Sequence, residues 1–194
     1  PATLPAENAT YTAKWNANTD TAYTVEHYQQ NIDDDEYTLA ETDTETGTTD
    51  EDTSATAKDY TGFTAKSVTQ EKIAADGSTV VKIYYDRKKI TLTFDCGNGY
   101  ELNATGKYGA DVTTPANPTK TGYTFAGWNL ELPAAFPAEN ATYTAEWNAN
   151  TYTVKFDSNG GNGTMDSPTF TYDKEEPLTA NSFTRTGYTF AGWA

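Results

Sequence analysis

Short runs in which an apolar side chain alternates with Thr recur along the chain, and most are closed by Gly, Asn or Pro. A period of two sends alternate side chains to opposite faces, so these runs predict half-buried β-strands. They read Tyr23-Thr24-Val25-Glu26-His27, Tyr37-Thr38-Leu39-Ala40, Thr79 to Tyr85, Ile90-Thr91-Leu92-Thr93-Phe94, Tyr123-Thr124-Phe125, Tyr143-Thr144-Ala145-Glu146-Trp147 and Tyr152-Thr153-Val154-Lys155-Phe156. Cys96-Gly97-Asn98-Gly99 supplies the positive φ that a tight hairpin needs. Ala126-Gly127, just before Trp128, predicts a bulge that re-aims the indole. Pro115 and Pro118 keep any helix between 111 and 120 short. The best helix candidate is 52–60, with Thr53 or Ser54 as its N-cap. The expected fold class is mainly β, α+β at most, in small modules of about four strands joined by a short helix or crossover.

Repeats set the domain organisation. Residues 5–19 (PAENATYTAKWNANT) and 137–151 (PAENATYTAEWNANT) differ only at Lys14 and Glu146. Residues 120–128 (KTGYTFAGW) and 185–193 (RTGYTFAGW) differ only at their first position, and Thr93-Phe94-Asp95-Cys96-Gly97 parallels Lys155-Phe156-Asp157-Ser158-Asn159. The expected divisions are 1–19, the terminal strand of a preceding repeat; 20–88, a distinct module; 89–148, a complete repeat; and 149–194, a repeat without its TYTAEW strand. The chain reads as a window on a longer tandem array.

Charge separates these parts. The formal net charge is -15, and residues 20–88 hold 16 acids against 6 bases, ten of the fifteen surplus charges. So negative a chain repels phosphate backbones, which argues against nucleic-acid partners. One Cys and one His exclude an internal disulfide and a multi-cysteine zinc site. Apolar runs are too short for a membrane-spanning helix, and no signal peptide is legible at Pro1. Neither a cofactor site nor a catalytic constellation emerges, so the chain is expected not to be an enzyme.

The KFDSNGG…TRTGYTFAGW pattern, followed in one copy by TYTAEW, resembles the Listeria–Bacteroides repeat, also called the internalin-type B repeat. The likeness covers 89–194 and, through its last strand, 1–17. Residues 22–88 (YTVEHYQQN…YTLAETDTETG…YTGFTAKS…IAADGSTVVKIYYDR) resemble the mucin-binding-protein-like module that accompanies such repeats. The resemblance implies β-grasp-like modules strung in an elongated array, in a protein secreted to the bacterial cell surface. Its implied role is adhesion or display.

Candidate sites follow from residue types. Asp33, Asp34, Asp35 and Glu36 are a weak Ca2+ candidate, because hard cations prefer clustered oxygens, but the spacing suits a solvated turn better. Glu41, Asp43 and Glu45 alternate with Thr and predict a charged, solvated strand edge. His27, on the face of Tyr23 and Val25, predicts a packed core histidine. Cys96 aligns with Ser158, which points to a hairpin position rather than a reactive thiol. Trp15, Tyr123, Phe125, Trp128, Tyr143, Trp147, Tyr188, Phe190 and Trp193 are expected in the core, since modules this small must bury their largest side chains. Asn8, Asn103, Asn140 and Asn162 spell glycosylation sequons, without meaning in a bacterial source. Lys82 and Lys155 are strand lysines of the kind that form isopeptide cross-links in secreted arrays, although Thr93 replaces Lys155 in the sister copy.

Two functional expectations result. One is a structural spacer in a surface stalk, with neighbouring modules as partners. The alternative is a binding module in which 20–88 contacts mucin, another glycan or a host protein. A third expectation concerns assembly: residues 5–17 of one chain complete 152–194 of the next, head to tail, by strand addition.

Overall fold

A computed structural model describes residues 7–194. The part of the expected terminal strand that falls on residues 1–6 lies outside the described residues. Ten strands are present and, among the described residues, no helix. β1 (Thr21–Gln30), β2 (Tyr37–Gly47), β3 (Phe63–Ala65) and β4 (Val80–Arg87) form one sheet in the order β2-β1-β4-β3. β5 (Lys89–Asp95), β6 (Glu101–Lys107), β7 (Tyr123–Trp128) and β8 (Ala141–Ala149) form a second in the order β6-β5-β8-β7. β9 (Thr151–Thr153) pairs antiparallel with β10 (Thr169–Thr171) as a third, shorter sheet.

The two larger sheets share one topology. In each, the first and last strands lie side by side in parallel at the centre, β1 with β4 and β5 with β8. Parallel neighbours need a long crossover. Here that connection returns in extended chain, so the modules are all-β.

The alternation of the strands places their side chains. Tyr23 and Val25 of β1 and Val81, Ile83 and Tyr85 of β4 point to one face. With Ala55 and Ile73 from the crossovers they form the buried cluster of the first sheet. Their neighbours Thr24, Glu26, Lys82 and Tyr84 occupy the other face.

The helix expected over 52–60 does not form. Its amides find other acceptors: Thr53 N–H donates to Glu71 O (2.8 Å), Ala55 N–H to Gln70 Oε1 (3.0 Å) and Lys58 N–H to the Tyr85 hydroxyl (2.9 Å). A segment rich in Thr, Ser and Asp has little propensity to resist. It lies as an extended strap that inserts Ala55 into the core.

In the second sheet the predicted bulge is present: the β7–β8 register shifts between Phe125 and Gly127. It brings Trp128 onto Phe94 (ring centroids 5.3 Å), while Phe125 packs on Trp128 (5.4 Å) and Trp147 (5.6 Å), and Tyr143 stacks on Phe94 (5.4 Å). The Trp147 indole N–H donates to Cys96 O at 3.1 Å. Tyr143 is therefore a core residue, and Phe125, Trp128 and Trp147 are half-buried in the same ring cluster.

Three other core expectations are corrected. Trp15 is 90 % exposed, Tyr188 68 % and Phe190 48 %. Residues 8–18 form no strand, and 188–193 join no ladder, so no sheet covers these rings. Trp193 is half-buried, against Phe156 (4.5 Å) and Phe190 (5.0 Å). Tyr123 is half-buried against Tyr172 (5.4 Å) rather than within the aromatic core.

By compactness the chain divides into two units. The first gathers the described residues through Ile90 with Gly106–Ala110 and Ala135–Glu139; the second contains Thr91–Thr105, Asp111–Ala134 and Asn140–Ala194.

The core assignment has a direct test. Ile83→Ala removes a side chain only 1 % exposed and is expected to cost about 2–5 kcal/mol. Val80→Ala, on the open face of the same strand, should stay within about 0.5 kcal/mol of the parent. Urea unfolding combined with hydrogen exchange at the β1 amides separates the two.

Candidate functional site

The carboxylates of β2 lie on an edge strand and stay partly solvated, as their alternation predicts, but they are also drawn into hydrogen bonds with neighbouring side chains. β1 and β2 change register between His27 and Tyr28, which pair with Glu41 and Leu39 and leave Ala40 as an extra residue. A one-residue slip exchanges the faces of a strand. Glu41, Asp43 and Glu45 consequently stand opposite His27, Val25 and Tyr23, on the core side. Glu45 accepts from the Tyr23 hydroxyl (2.5 Å) and Glu41 from the Tyr60 hydroxyl (2.6 Å). Asp43 Oδ2 lies 3.0 Å from His27 Nε2 and 2.5 Å from Lys58 Nζ, which also reaches Glu41 at 2.7 Å.

His27 is buried, and its Nδ1 lies 2.7 Å from the Tyr85 hydroxyl. The Tyr85 oxygen already accepts from Lys58 N–H, so its proton is free for Nδ1, leaving Nε2–H to donate to Asp43. The hydrogen bond from Lys58 holds the Asp43 carboxyl below its ordinary value. Hydrogen bonds from Lys58 and then Tyr60 do the same for Glu41. Asp43 and Glu41 in turn push the Lys58 ammonium upward, so it stays charged and is no nucleophile. The cluster is a closed polar network that carries core tyrosines and a core histidine to the sheet edge.

The other sequence candidates are dispersed. Asp33–Glu36 form the exposed β1–β2 turn. Asp34 Oδ1 accepts from Asn31 Nδ2 and Glu36 N–H, both 2.9 Å. Lys107 Nζ donates to Asn31 O (3.2 Å), Asp34 O and Asp35 Oδ1 (3.2 Å). An ammonium thus sits where the Ca2+ candidate would need a cation, and no three His, Cys, Asp or Glu side chains converge among the described residues. Cys96 is buried in its hairpin, where burial pushes the thiol up, away from reactivity. Lys82 and Lys155 are exposed, and Lys82 reaches only Glu26, at 3.8 Å.

Where one sheet passes into the next, a single residue intervenes: Lys88 between β4 and β5, and Asn150 between β8 and β9. Both residues are bonded on two sides. Lys88 N–H donates to Gly62 O and Lys88 O accepts from Tyr108 N–H, each 2.9 Å. Asn150 N–H donates to Gly122 O and Asn150 O accepts from Tyr172 N–H, each 2.8 Å. The glycines have φ of 80° and 78°, and a Cβ on either would fall inside the ring of Tyr108 or Tyr172. Only Gly satisfies both constraints. Phe63 and Tyr123 then meet those tyrosines edge-on, at 5.9 and 5.4 Å. Half of the same device recurs at Asn18, whose carbonyl accepts from Thr49 N–H at 2.9 Å.

The sequence marks Asn148-Ala149-Asn150 as a joint and 88/89 as a division, but not the contacts that hold either. Their signal is the recurrence of Thr-Gly-aromatic at 61–63, 121–123 and 186–188, each aligned to follow the crossover. The partners Tyr108 and Tyr172 are too distant in sequence to be matched by eye.

The polar network generates a pH prediction. Asp43 has a depressed folded pKa, so its contribution is fully present above the unfolded value and is lost as pH falls through the folded one. The stability advantage of the parent over Asp43→Asn should be greatest near neutrality and vanish below the ordinary aspartate range. Denaturant titrations across that pH range check it; an advantage that grows on acidification would contradict the geometry.

Comparison with known proteins places these repeats. The Listeria–Bacteroides repeat domain matches residues 91–151 and 152–194, and its boundary falls one residue after the Asn150 joint. Internalin H of Listeria monocytogenes is 34 % identical over 112 residues, covering 53 % of this chain and 20 % of that protein. A protein of Evansella cellulosilytica, named only provisionally as a membrane protein, is 30 % identical over 122 residues, or 56 % of this chain and 18 % of its own length. The chain thus spans about a fifth of the length of these relatives. Two tandem matches over more than half of the residues, each with the Gly-Tyr-Thr-Phe-Ala-Gly-Trp run, establish that the chain belongs to the Listeria–Bacteroides repeat family.

Proposed function

We propose that the chain is a spacer segment of a stalk on a bacterial surface protein, holding other parts of that protein away from the cell. The observation that carries this reading is the repeated joint: Lys88 and Asn150 are fixed by the same two hydrogen bonds and the same tyrosine over glycine. A linker meant to flex needs several Gly or Ser residues with free amides. A single residue bonded on both sides transmits direction instead. The divisions 20–88, 89–148 and 149–194 are the modules so joined. The names of the relatives, an internalin and a membrane protein, agree with a surface location. The family is a repeat domain and supplies no catalytic residues, and the polar network around Lys58 is closed, which supports a non-enzymatic role.

The joint can be opened without touching either core. In the native chain trypsin should cut slowly after Lys88, whose amide, carbonyl and ammonium (to Glu139, 2.8 Å) are all engaged. Gly62→Ala forces the Tyr108 ring away and should raise cleavage at Lys88 by about tenfold or more. Small-angle scattering should show a broadened distribution of distances in the same variant. Unchanged cleavage and scattering would remove the support for a stiff spacer.

A second reading rests on a different observation. The outer face of the first sheet carries Tyr28 stacked on Tyr84 (5.3 Å) and Tyr37 edge-on to Tyr84 (5.1 Å), flanked by Lys66, Lys82, Glu26 and Asp86. Half-buried rings ringed by hydrogen-bonding groups suit a sugar, which offers both C–H faces and hydroxyls. In this reading 20–88 contacts a host glycan. A glycan array with the whole chain should give saturable binding that Tyr84→Ala abolishes and Ile32→Ala, outside the patch, preserves; absence of binding leaves the spacer alone.

A further inference from the structure

The two joints share their linker bonds but not their neighbours. Just before the linker stands Arg87 in the first and Ala149 in the second. Just before the tyrosine that donates to the linker carbonyl stands Lys107 in the first and Thr171 in the second. Both cations belong to the first joint, and the second makes the same linker bonds with alanine and threonine in their places.

Arg87 and Lys107 reach one feature, the turn between β1 and β2. Arg87 Nε donates to Gln30 O (2.6 Å) and Nη1 to Tyr108 O (2.9 Å), with the guanidinium over the Phe63 ring. Gln30 answers, its side-chain carbonyl accepting from Arg87 N–H at 3.0 Å. Lys107 Nζ donates to Asn31 O, Asp34 O and Asp35 Oδ1, so an ammonium with three donors meets three oxygens. The Asp35 side chain is 92 % exposed, and its ion pair contributes little by itself. The two carbonyls hold the ammonium, whose side chain is only 27 % exposed. Bonds inside the turn keep them in place, Asn31 N–H to Glu36 O and Asn31 Nδ2 to Asp34 Oδ1. Beyond Tyr108, a Cβ on Gly109 would lie 3.3 Å from Arg87 Nη1, where the other copy has Asp173. All of these residues of the first joint fall in the first compact unit.

The equivalent turn of the second sheet is engaged differently. In the β5–β6 hairpin Asn98 Nδ2 donates to Thr119 O at 2.9 Å, and Cys96 O accepts from the Trp147 indole. Those partners are its own crossover and its own last strand. The β1–β2 turn instead bonds to residues of the module that follows.

We propose that the β1–β2 turn is a recognition element for the module that follows 20–88, and that Lys107 is the residue it reads. Its carbonyls form a cradle for one ammonium. A repeat with Lys-Tyr-Gly at its joint docks there, and one with Thr-Tyr-Asp, as at 171–173, leaves the carbonyls to water. The shared linker bonds serve any joint, whereas this latch selects the neighbour. The inference goes beyond a spacer role, because it concerns the order of modules and needs no particular location for the protein.

Hydrogen exchange and limited trypsin digestion of the whole chain test it. Lys107→Thr installs the residue of the other copy. It should speed exchange at the Asn31 amide by about tenfold or more and raise cleavage after Lys88, while the Ile83 amide exchanges as in the parent. Lys107→Met keeps an apolar stem without donors and should behave as Lys107→Thr does. Thr171→Lys should leave exchange in the 96–100 hairpin unchanged. Unaltered exchange in Lys107→Thr, full protection in Lys107→Met, equal loss at Ile83, or protection gained at 96–100 would each overturn the proposal. Gly62→Ala acts on the linker bonds whether or not the turn selects a neighbour. A response to Gly62→Ala without one to Lys107→Thr would therefore remove the recognition and leave the spacer standing.

Discussion

Everything in this chain hangs on the last strand of each module, which lies at the centre of its sheet and not at its edge. β4 and β8 each pair in parallel with the first strand of their module and antiparallel with the third. Without that strand a module would keep one hairpin, and its third strand would have no partner in the sheet. The same strand then runs straight through one bonded residue, Lys88 or Asn150, to begin the next sheet. The strand that completes one sheet is thus continuous with the strand that begins the next. In repeat proteins stability is a sum of unit and nearest-neighbour terms, and here a single strand contributes to both.

The two larger sheets solve one burial problem with different chemistry. The second adds to buried Ile90, Leu92 and Ala145 a cluster of rings, with Phe94, Phe125, Trp128, Tyr143 and Trp147 at 5.3 to 5.6 Å. The first keeps a smaller apolar cluster and extends it through Tyr23, His27, Tyr60 and Tyr85 into Glu41, Asp43, Glu45 and Lys58. Rings with polar tips can be buried at an edge only if the tips find partners. No buried side-chain polar atom among the described residues lacks one. The surplus acid of this region is thus partly structural: Glu41, Asp43 and Glu45 accept hydrogen bonds from the polar tips of core and strap residues, and Asp35 pairs with Lys107.

How much of this was legible in sequence depended on the range of the interaction. Strands were visible because Thr alternates with apolar residues, and the Ala126-Gly127 bulge because Gly interrupts that alternation. The fold class and the repeats followed from the same patterns; of the nine expected core aromatics Tyr143 is buried, with Phe125, Trp128 and Trp147 half-buried around the same cluster. The partners of the β2 carboxylates were hidden, because the extra residue at Ala40 sets which β1 side chains they face. The strap at 53–60 was misread as helix because its acceptors, Tyr85 and Gln70, come from later in the chain. Trp15, Tyr188 and Phe190 were assigned to cores whose covering strands stand elsewhere.

The glycines at the joints show what a tandem array with such joints demands of its sequence. Ordinary surface positions tolerate change, but Gly62 and Gly122 answer to three demands at once: a positive φ, a tyrosine ring where a Cβ would be, and a carbonyl aimed at the linker amide. Tyr108 and Tyr172 are tied to them in turn, and through Phe63 and Tyr123 to the third strand of the module before. A change at any one of these positions disturbs two modules. The residues that join modules therefore answer to contacts on both sides of each joint, and a substitution there must satisfy two neighbours at once.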